Sequence, residues 1–306
     1  MQSIDKVAVI GAGAMGSVYA AKFFEMDKDS ISIVAKGERY ERLKEQGLVV
    51  NDKHYSLPVV GVEEETSFSD LIIVAVKHHH LPEAIQDMRN RIGEHTVILS
   101  VMNGIESEEQ IGAVYGMDKV LYAVSVGIDA LRRGPSTTCS TQGKLYFGEA
   151  ENHDLTDRVT RIQSLFDRAG FVYETPEDMI RILWWKFMIN VGTNQTAAVL
   201  HAPFAVLQTS QEARELMTSA MREVMAIAEA RNVYLSQEDL DKWYAVLSGL
   251  PPEARPSMLQ DVEAKRKTEV EMFAGKMIQL GKELDIPVPV NETFFRIIRV
   301  IEEHYD

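Results

Sequence analysis

The stretch with the most chemistry in this 306-residue sequence is Leu183-Trp184-Trp185-Lys186-Phe187-Met188-Ile189-Asn190-Val191-Gly192-Thr193-Asn194. Lys186, Asn190 and Asn194 recur every four residues, so they share one helix face and drift by only about 80° around it. Their neighbours are aromatic and aliphatic, which predicts a mostly buried segment; an exposed polar stripe is the bland alternative. A lysine and two asparagines inside an apolar helix need partners, because each unpaired buried polar group is costly. A polar cleft would supply them. A lysine, with a reference pKa of about 10.4, is charged at neutral pH. It can both attract an oxygen that gains negative charge during carbonyl reduction and protonate it. Arginine would attract but would be a poor proton donor.

A second chemical signature lies at the start of the chain. Lys6-Val7-Ala8-Val9-Ile10 is a strand-forming run that breaks into Gly11-Ala12-Gly13-Ala14-Met15-Gly16 and continues with helical spacing through Phe24. In such a G-x-G-x-x-G turn the first glycine permits the tight bend and the second lets the backbone approach a pyrophosphate. The third lets helix and strand pack closely. The phosphates then sit on the free N–H groups at the positive end of the helix. A structural turn is the competing reading, but the strand before and the helix after supply the context the motif requires.

The elements around these residues alternate strand and helix through the first half. Strands are expected at Ile31–Ala35, Asp70–Val76 and Thr96–Val101, with a charged helix from Gly37 to Gln46 closed by Gly47 and another helix beginning near Pro82. A short strand pair, Leu48–Asn51 and His54–Leu57, flanks Asp52-Lys53 as its turn. Longer strands at Val120–Ile128 and Gly143–Gly148 are expected to be joined by the Gly/Pro/Ser/Thr-rich segment Arg133–Gln142. After Thr175-Pro176 the periodicity is helical, with helices near Asp178–Gly192, Gln211–Arg231, Gln237–Leu247, Met258–Leu284 and Glu292–His304. The reading is therefore an α/β fold. Residues 1–176 form a Rossmann-type, doubly wound NADP-binding domain, and residues 177–306 an all-α substrate and catalytic domain.

In open α/β sheets ligands bind beyond the carboxyl ends of the strands. Gly11–Gly16, Lys36, Lys77 and Asn103 each follow a strand end. Folds that select NAD place an acidic residue about 20 positions beyond the glycines. Here that position is the cation Lys36, with Arg39 near it and Glu38 opposing it. A solvated lysine is the plain reading; the charge argument favours NADP.

Composition excludes several classes. The net charge of −14 argues against a nucleic-acid partner. A single cysteine, Cys139 in a Ser/Thr loop, rules out an internal disulfide framework. His78-His79-His80 reads as a solvated loop rather than a metal site, and hydride transfer needs no metal. No apolar run is long enough to span a bilayer and no signal segment precedes the first strand, so the expected setting is the cytoplasm. A homodimer is compatible with such architectures.

A second polar cluster, Arg255-Pro256-Ser257-Met258-Leu259-Gln260-Asp261 followed by Lys265-Arg266-Lys267-Thr268-Glu269-Val270-Glu271, lies in the helical half. Ser257 either caps a helix or meets substrate. Glu269 and Glu271 cannot both point the same way on a helix, so at most one reaches a site.

Taken together, the GAGAMG start, Lys77, Asn103-Gly104, the Lys-x-x-x-Asn-x-x-x-Asn helix and the Pro-Ser-Met-x-Gln-Asp…Arg-x-Thr-Glu run resemble the ketopantoate reductase (2-dehydropantoate 2-reductase) family over essentially the whole chain. The resemblance implies NADPH-dependent reduction of 2-dehydropantoate to pantoate, a step towards pantothenate and coenzyme A. It implies Lys186 as the catalytic acid and Glu269 as the acidic partner that orients substrate or lysine. Asn190, Asn194 and Ser257 would hold substrate groups, Asn103 would lie between nicotinamide and substrate, and Lys77 would belong to the cofactor side. Asn103 and Glu269 also count among the cofactor-binding residues. Lys36 stands where the family's phosphate-binding arginine belongs. Phe204 falls where some members use a further asparagine, which leaves other 2-oxo acids open as substrates. A 3-hydroxyisobutyrate-type dehydrogenase is an enzymatic alternative, disfavoured by the Ser257…Glu269 run. A non-catalytic NADP-binding redox sensor is the alternative of another class, disfavoured by retention of Lys186 and Glu269.

Overall fold

Every residue of the opening strand β1 (Val7–Ile10) is buried in the computed structural model, which describes residues 3–64 and 67–305. Val7 and Val9 enter one core with Ile31, Ile33, Leu71 and Ile73, while Ala8 and Ile10 enter the core on the opposite face with Ile72, Val74 and Ile98. That two-sided burial is why these strands read as continuous apolar runs rather than alternating ones.

The chain divides into two compact units, Met1–Ile182 and Leu183–Asp306, where the sequence reading drew the line at 176/177. In the first unit β1 leads into α1 (Ala14–Met26), β2 (Ile31–Ala35), α2 (Gly37–Gln46), β3 (Leu48–Val50), β4 (Lys53–Tyr55) and β5 (Val59–Gly61). Then follow β6 (Ser69–Val74), α3 (Leu81–Asp87), β7 (Ile92–Ser100), α4 (Ser107–Tyr115), β8 (Val120–Arg133), β9 (Ser136–Gly148), α5 (Asp157–Arg168) and β10 (Tyr173–Glu174). The strands form a mixed sheet in the order β4-β3-β9-β8-β7-β6-β1-β2-β5, with β10 beside β9. β1 pairs in parallel with β2 on one side and β6 on the other. The chain thus winds outward from β1 in both directions, which makes β1/β6 the topological switch point of the sheet.

Two expectations for this unit need correction. The turn of the β3/β4 hairpin is Asn51-Asp52, not Asp52-Lys53: both residues have positive φ, 47° and 62°. A two-residue turn of this hand needs that conformation at both positions, and Asn and Asp tolerate it better than most residues. The segment 136–142 is strand rather than loop. β8 and β9 pair from Tyr122↔Gly148 out to Arg133↔Ser136, leaving only Gly134-Pro135 as the turn. The Ser and Thr residues there behave as strand formers, and Cys139 sits in a strand.

The second unit is helical. It takes in most of α6 (Met179–Ile189), a π-helical turn Asn190–Asn194, α7 (Gln195–Leu200), α8 (Phe204–Thr209) and α9 (Gln211–Ala230). α10 (Gln237–Gly249), α11 (Ser257–Glu263), a second π-helical turn Glu271–Gly275, α12 (Lys276–Leu284) and α13 (Pro289–Glu303) complete it. The long helix expected over Met258–Leu284 is broken after Glu263. Lys265 adopts φ 53°, and the Thr268 N–H and hydroxyl both donate to Glu302 Oε1, at 2.7 and 2.6 Å, in place of a helical carbonyl. No helix among the described residues is long and apolar enough to cross a membrane.

Candidate functional site

In the first unit the predicted residues gather at one end of the sheet. Ile10 pairs with Val34 and Val74, and Val74 pairs with Ser100. Gly11, Lys36, Lys77 and Asn103 therefore follow the carboxyl ends of four adjacent strands, β1, β2, β6 and β7.

The three glycines of the loop are required for different reasons. Gly11 has φ 100°, and a Cβ there would fall 2.5 Å from the Ala75 carbonyl oxygen. At Gly16 it would fall 1.8 Å from the Gly11 carbonyl oxygen. Both are demanded by the protein's own packing. Gly13 is not: its φ is −79°, which any residue adopts, and a Cβ there would meet nothing closer than the Ala75 oxygen at 3.9 Å. The space in front of Gly13 is open. α1 begins directly behind it, with no side-chain cap and no acidic residue in its first turn. An uncapped helix N-terminus behind an open glycine can accept a pyrophosphate, with Gly11, Ala12, Gly13, Ala14, Met15 and Gly16 supplying the backbone.

Lys36 behaves less simply than its position suggests. Its Nζ lies 2.7 Å from Glu83 Oε1 and 2.8 Å from Asp87 Oδ1, both on α3. Hydrogen bonds to Asp87 and Glu83 hold its pKa above the usual lysine value. Two carboxylates thus outweigh the one cation. Lys77 caps the 3-10 turn His78–His80, where a loop was expected, and its carbonyl accepts from the His80 N–H at 2.8 Å. Asn103 precedes Gly104, whose φ of 96° turns the chain away from β7.

In the second unit three of the predicted side chains form one chain of hydrogen bonds. Ser257 Oγ and the Met258 N–H donate to Asn194 Oδ1 at 3.2 and 3.3 Å, and Asn194 Nδ2 donates to Asn190 Oδ1 at 3.1 Å. Ser257 does not cap α11; Pro256 holds that position. Lys186 stands four residues before Asn190, within α6. The residue as a whole is half-buried, and burial around its ammonium pushes the pKa from 10.5 down to about 8. Such a value, close to neutrality, suits a group that must give up a proton. Glu269 is buried, while Glu271 is half-exposed and paired with Arg299 at 2.9 Å, so the two carboxylates do point apart.

Sequence reasoning missed what sets the geometry of this region. Gln195, fully buried, donates to the Val191 carbonyl at 2.8 Å and to Asn291 Oδ1 at 3.0 Å, and accepts from the Ala274 N–H at 3.1 Å. Asn291 in turn donates to Glu223 Oε2 at 2.8 Å. One amide thus ties the first π-helical turn to the second, the latter beginning two residues beyond Glu269. Wide turns of this kind recur at functional sites. Gly192 lets the first turn approach α9, since a Cβ there would fall 2.5 Å from Met221 Cγ. The only local signal was a glutamine inside an apolar helix.

Residues 7–152 match the family model described as "Ketopantoate reductase PanE/ApbA" and residues 178–302 the one described as "Ketopantoate reductase PanE/ApbA C terminal". The chain belongs to the ketopantoate reductase family. This is a family of oxidoreductases, and its two regions account for the α/β and the helical halves. Among curated relatives, a 2-dehydropantoate 2-reductase from Aquifex aeolicus is 25% identical over 307 residues, covering 98% of this chain and 97% of the relative. Among solved structures, a 2-dehydropantoate 2-reductase from Geobacter metallireducens aligns with a TM-score of 0.86 and 25% identity, covering 96% of this chain and 99% of that one. A D-mandelate dehydrogenase, solved with NADH and anilino(oxo)acetate, has the same fold at a TM-score of 0.88 and 22% identity, covering 98% and 99%.

Proposed function

We propose that this ketopantoate reductase family member is an NADPH-dependent 2-oxo acid reductase, with 2-dehydropantoate as its substrate and pantoate as its product. The observation that carries the reading is Lys186: a desolvated ammonium near pKa 8, one helical turn from the Asn190–Asn194–Ser257 chain. A bound reduced nicotinamide supplies the hydride to C2 of the acid. Lys186 attracts the C2 oxygen, donates its proton as charge builds there, and is left as a neutral amine that solvent reprotonates. Asn190, Asn194 and Ser257 bind the substrate's hydroxyl and carboxylate, and Glu269 orients substrate or lysine. Gly11–Gly16, Lys77 and Asn103 serve the cofactor. Residues 1–176 carry the dinucleotide and residues 177–306 the proton donor. The relatives' names support the substrate, and the single thiol of Cys139 accords with a cytoplasmic setting. A homodimer is the assembly to look for, as in the dimeric ketopantoate reductase from Staphylococcus aureus.

Phe204 supports a second reading within the same chemistry, a different 2-oxo acid. It opens α8 with its N–H on the Ala254 carbonyl at 3.1 Å, and its ring offers no hydrogen bond where some relatives have an asparagine. The test is a panel of 2-oxo acids read by loss of the reduced-nicotinamide absorbance. Turnover of 2-dehydropantoate above all others is expected; turnover of another 2-oxo acid alone would replace the substrate, and no turnover with any member would remove the reaction class.

A further inference from the structure

Lys36 is the residue that position alone would assign to an adenosine 2′-phosphate, yet Glu83 and Asp87 hold its ammonium at 2.7 and 2.8 Å. A phosphate brought there would meet two carboxylates and one cation, a poor site for a dianion. A different set of cations borders the glycine loop. Arg132, near the end of β8, donates through Nη1 to the Ala12 carbonyl and through Nε to the Gly134 carbonyl at 3.1 Å. It is partly buried there. Arg39 and Arg42 lie three residues apart on α2, so they project from one side of that helix, and both are exposed.

Arg39 and Arg42 lie close enough to Arg132 for their charges to act on it. Burial lowers the Arg132 pKa, and the charges of Arg42 and then Arg39 lower it further. No hydrogen bond or ion pair among the described residues engages Arg39 or Arg42. Glu83, the acid that feels Arg39, is already bound by Lys36. Glu38 lies four residues before Arg42 and Glu45 three after it, so both share its side of α2, yet neither forms an ion pair with it among the described residues. Guanidiniums gathered without a formed ion pair can take an anion from outside, and their forks match a phosphate's oxygens.

We propose that Arg39, Arg42 and Arg132 form the 2′-phosphate pocket, and that Lys36 instead fastens α3 to the end of β2. The assignment rests on the reading of Gly11–Gly16 as a dinucleotide cradle. Arg132 links the two, because the side chain that would meet the phosphate also fixes the Ala12 carbonyl within the loop.

The experiment measures direct binding of NADPH, NADH and 2′,5′-ADP to the full chain by calorimetry, for the parent, Arg39→Ala/Arg42→Ala and Lys36→Ala. The two arginines are exposed, so the double variant should fold; an unchanged melting curve checks it. The expected result is a loss of tenfold or more in NADPH and 2′,5′-ADP affinity in the double variant, with NADH affinity within about twofold of the parent, and a smaller change in Lys36→Ala. An Arg132→Gln variant should lose NADPH affinity and some NADH affinity, because it disturbs the loop as well. Selectivity that survives the double variant and disappears in Lys36→Ala would overturn the assignment, as would equal parent affinities for NADPH and NADH. If the parent binds neither dinucleotide, the cradle reading itself falls; binding of NADH without preference for NADPH removes only the arginine pocket.

Discussion

The glycine loop of the first unit and the Lys186 helix of the second reach definite geometry by opposite means. The loop is shaped by what its residues lack: Gly11 and Gly16 are there because a Cβ would strike backbone at 2.5 and 1.8 Å. The helix is shaped by what its residues carry, a row of buried amides in which Asn194 donates to Asn190 and accepts from the exposed Ser257, and Gln195 bridges to Ala274. A steric rule is local and tolerates almost nothing. A network of buried amides spans distant segments and fails by leaving a donor or acceptor unpaired. Mutations should therefore separate the two regions by the kind of damage they cause.

The largest effect is expected at the proposed proton donor. Lys186→Ala should lower turnover by about 10²–10⁴-fold, while dinucleotide binding stays within a factor of two or so of the parent. Stability should not fall. The folded pKa of about 8 lies below the reference value of 10.5, so the charged lysine opposes folding. That penalty grows as pH falls from 10.5 towards 8 and is complete below it. The pH profile carries the same sign into catalysis. Reduction needs the protonated amine, so its rate should fall as pH rises through about 8, while oxidation of the hydroxy acid should rise over the same range. Steady-state rates in both directions check this, and a flat profile would take Lys186 out of proton transfer.

Next comes the steric region. Gly16→Ala must displace the Gly11 carbonyl or pull α1 away from β1, and should cost about 3 kcal/mol or more in chemical denaturation. The amide region should respond more mildly. Gln195→Ala leaves the Ala274 N–H and the Asn291 carboxamide oxygen without their partner, which predicts a loss of about 2 kcal/mol. It should also lower turnover, because the π-helical turn that presents Asn190 and Asn194 loses its tie. Full activity at reduced stability would make Gln195 a purely structural residue and weaken the contrast drawn between the regions.

The same contrast explains what could be read from the sequence. The loop was legible because strand, glycines and helix occupy neighbouring positions, and two-sided apolar runs announced the parallel strands beside it. The shared face of Lys186, Asn190 and Asn194 was legible from spacing alone. Their partners were not. Ser257 lies 63 residues from Asn194 and Asn291 lies 96 from Gln195, and no local pattern links such positions. The π-helical turns leave no periodic signature, since one wide turn is lost within a helical run. Lys36 illustrates the same limit in the first unit: strand-end position suggested a free cation, and Asp87, 51 residues on, claims it. The strand over 136–142 was obscured by composition, since its Ser and Thr residues suit turns as readily as an exposed hairpin.

The smallest predicted change is the most discriminating, because it tests whether the loop has a purpose beyond its own packing. Gly13 differs from its two companions in having neither a positive φ nor a close neighbour. If the loop were only a turn, alanine there would be harmless in every assay. If a pyrophosphate lies against it, the added methyl group occupies the space the ligand needs. Gly13→Ala should therefore leave stability within about 0.5 kcal/mol of the parent while weakening both NADPH and NADH by about tenfold, roughly 1.4 kcal/mol. The two cofactors should lose equally, because they share the pyrophosphate and differ only at the 2′ position, where Arg39 and Arg42 are assigned. Loss of stability without loss of affinity would reduce all three glycines to packing residues and leave the dinucleotide without its cradle.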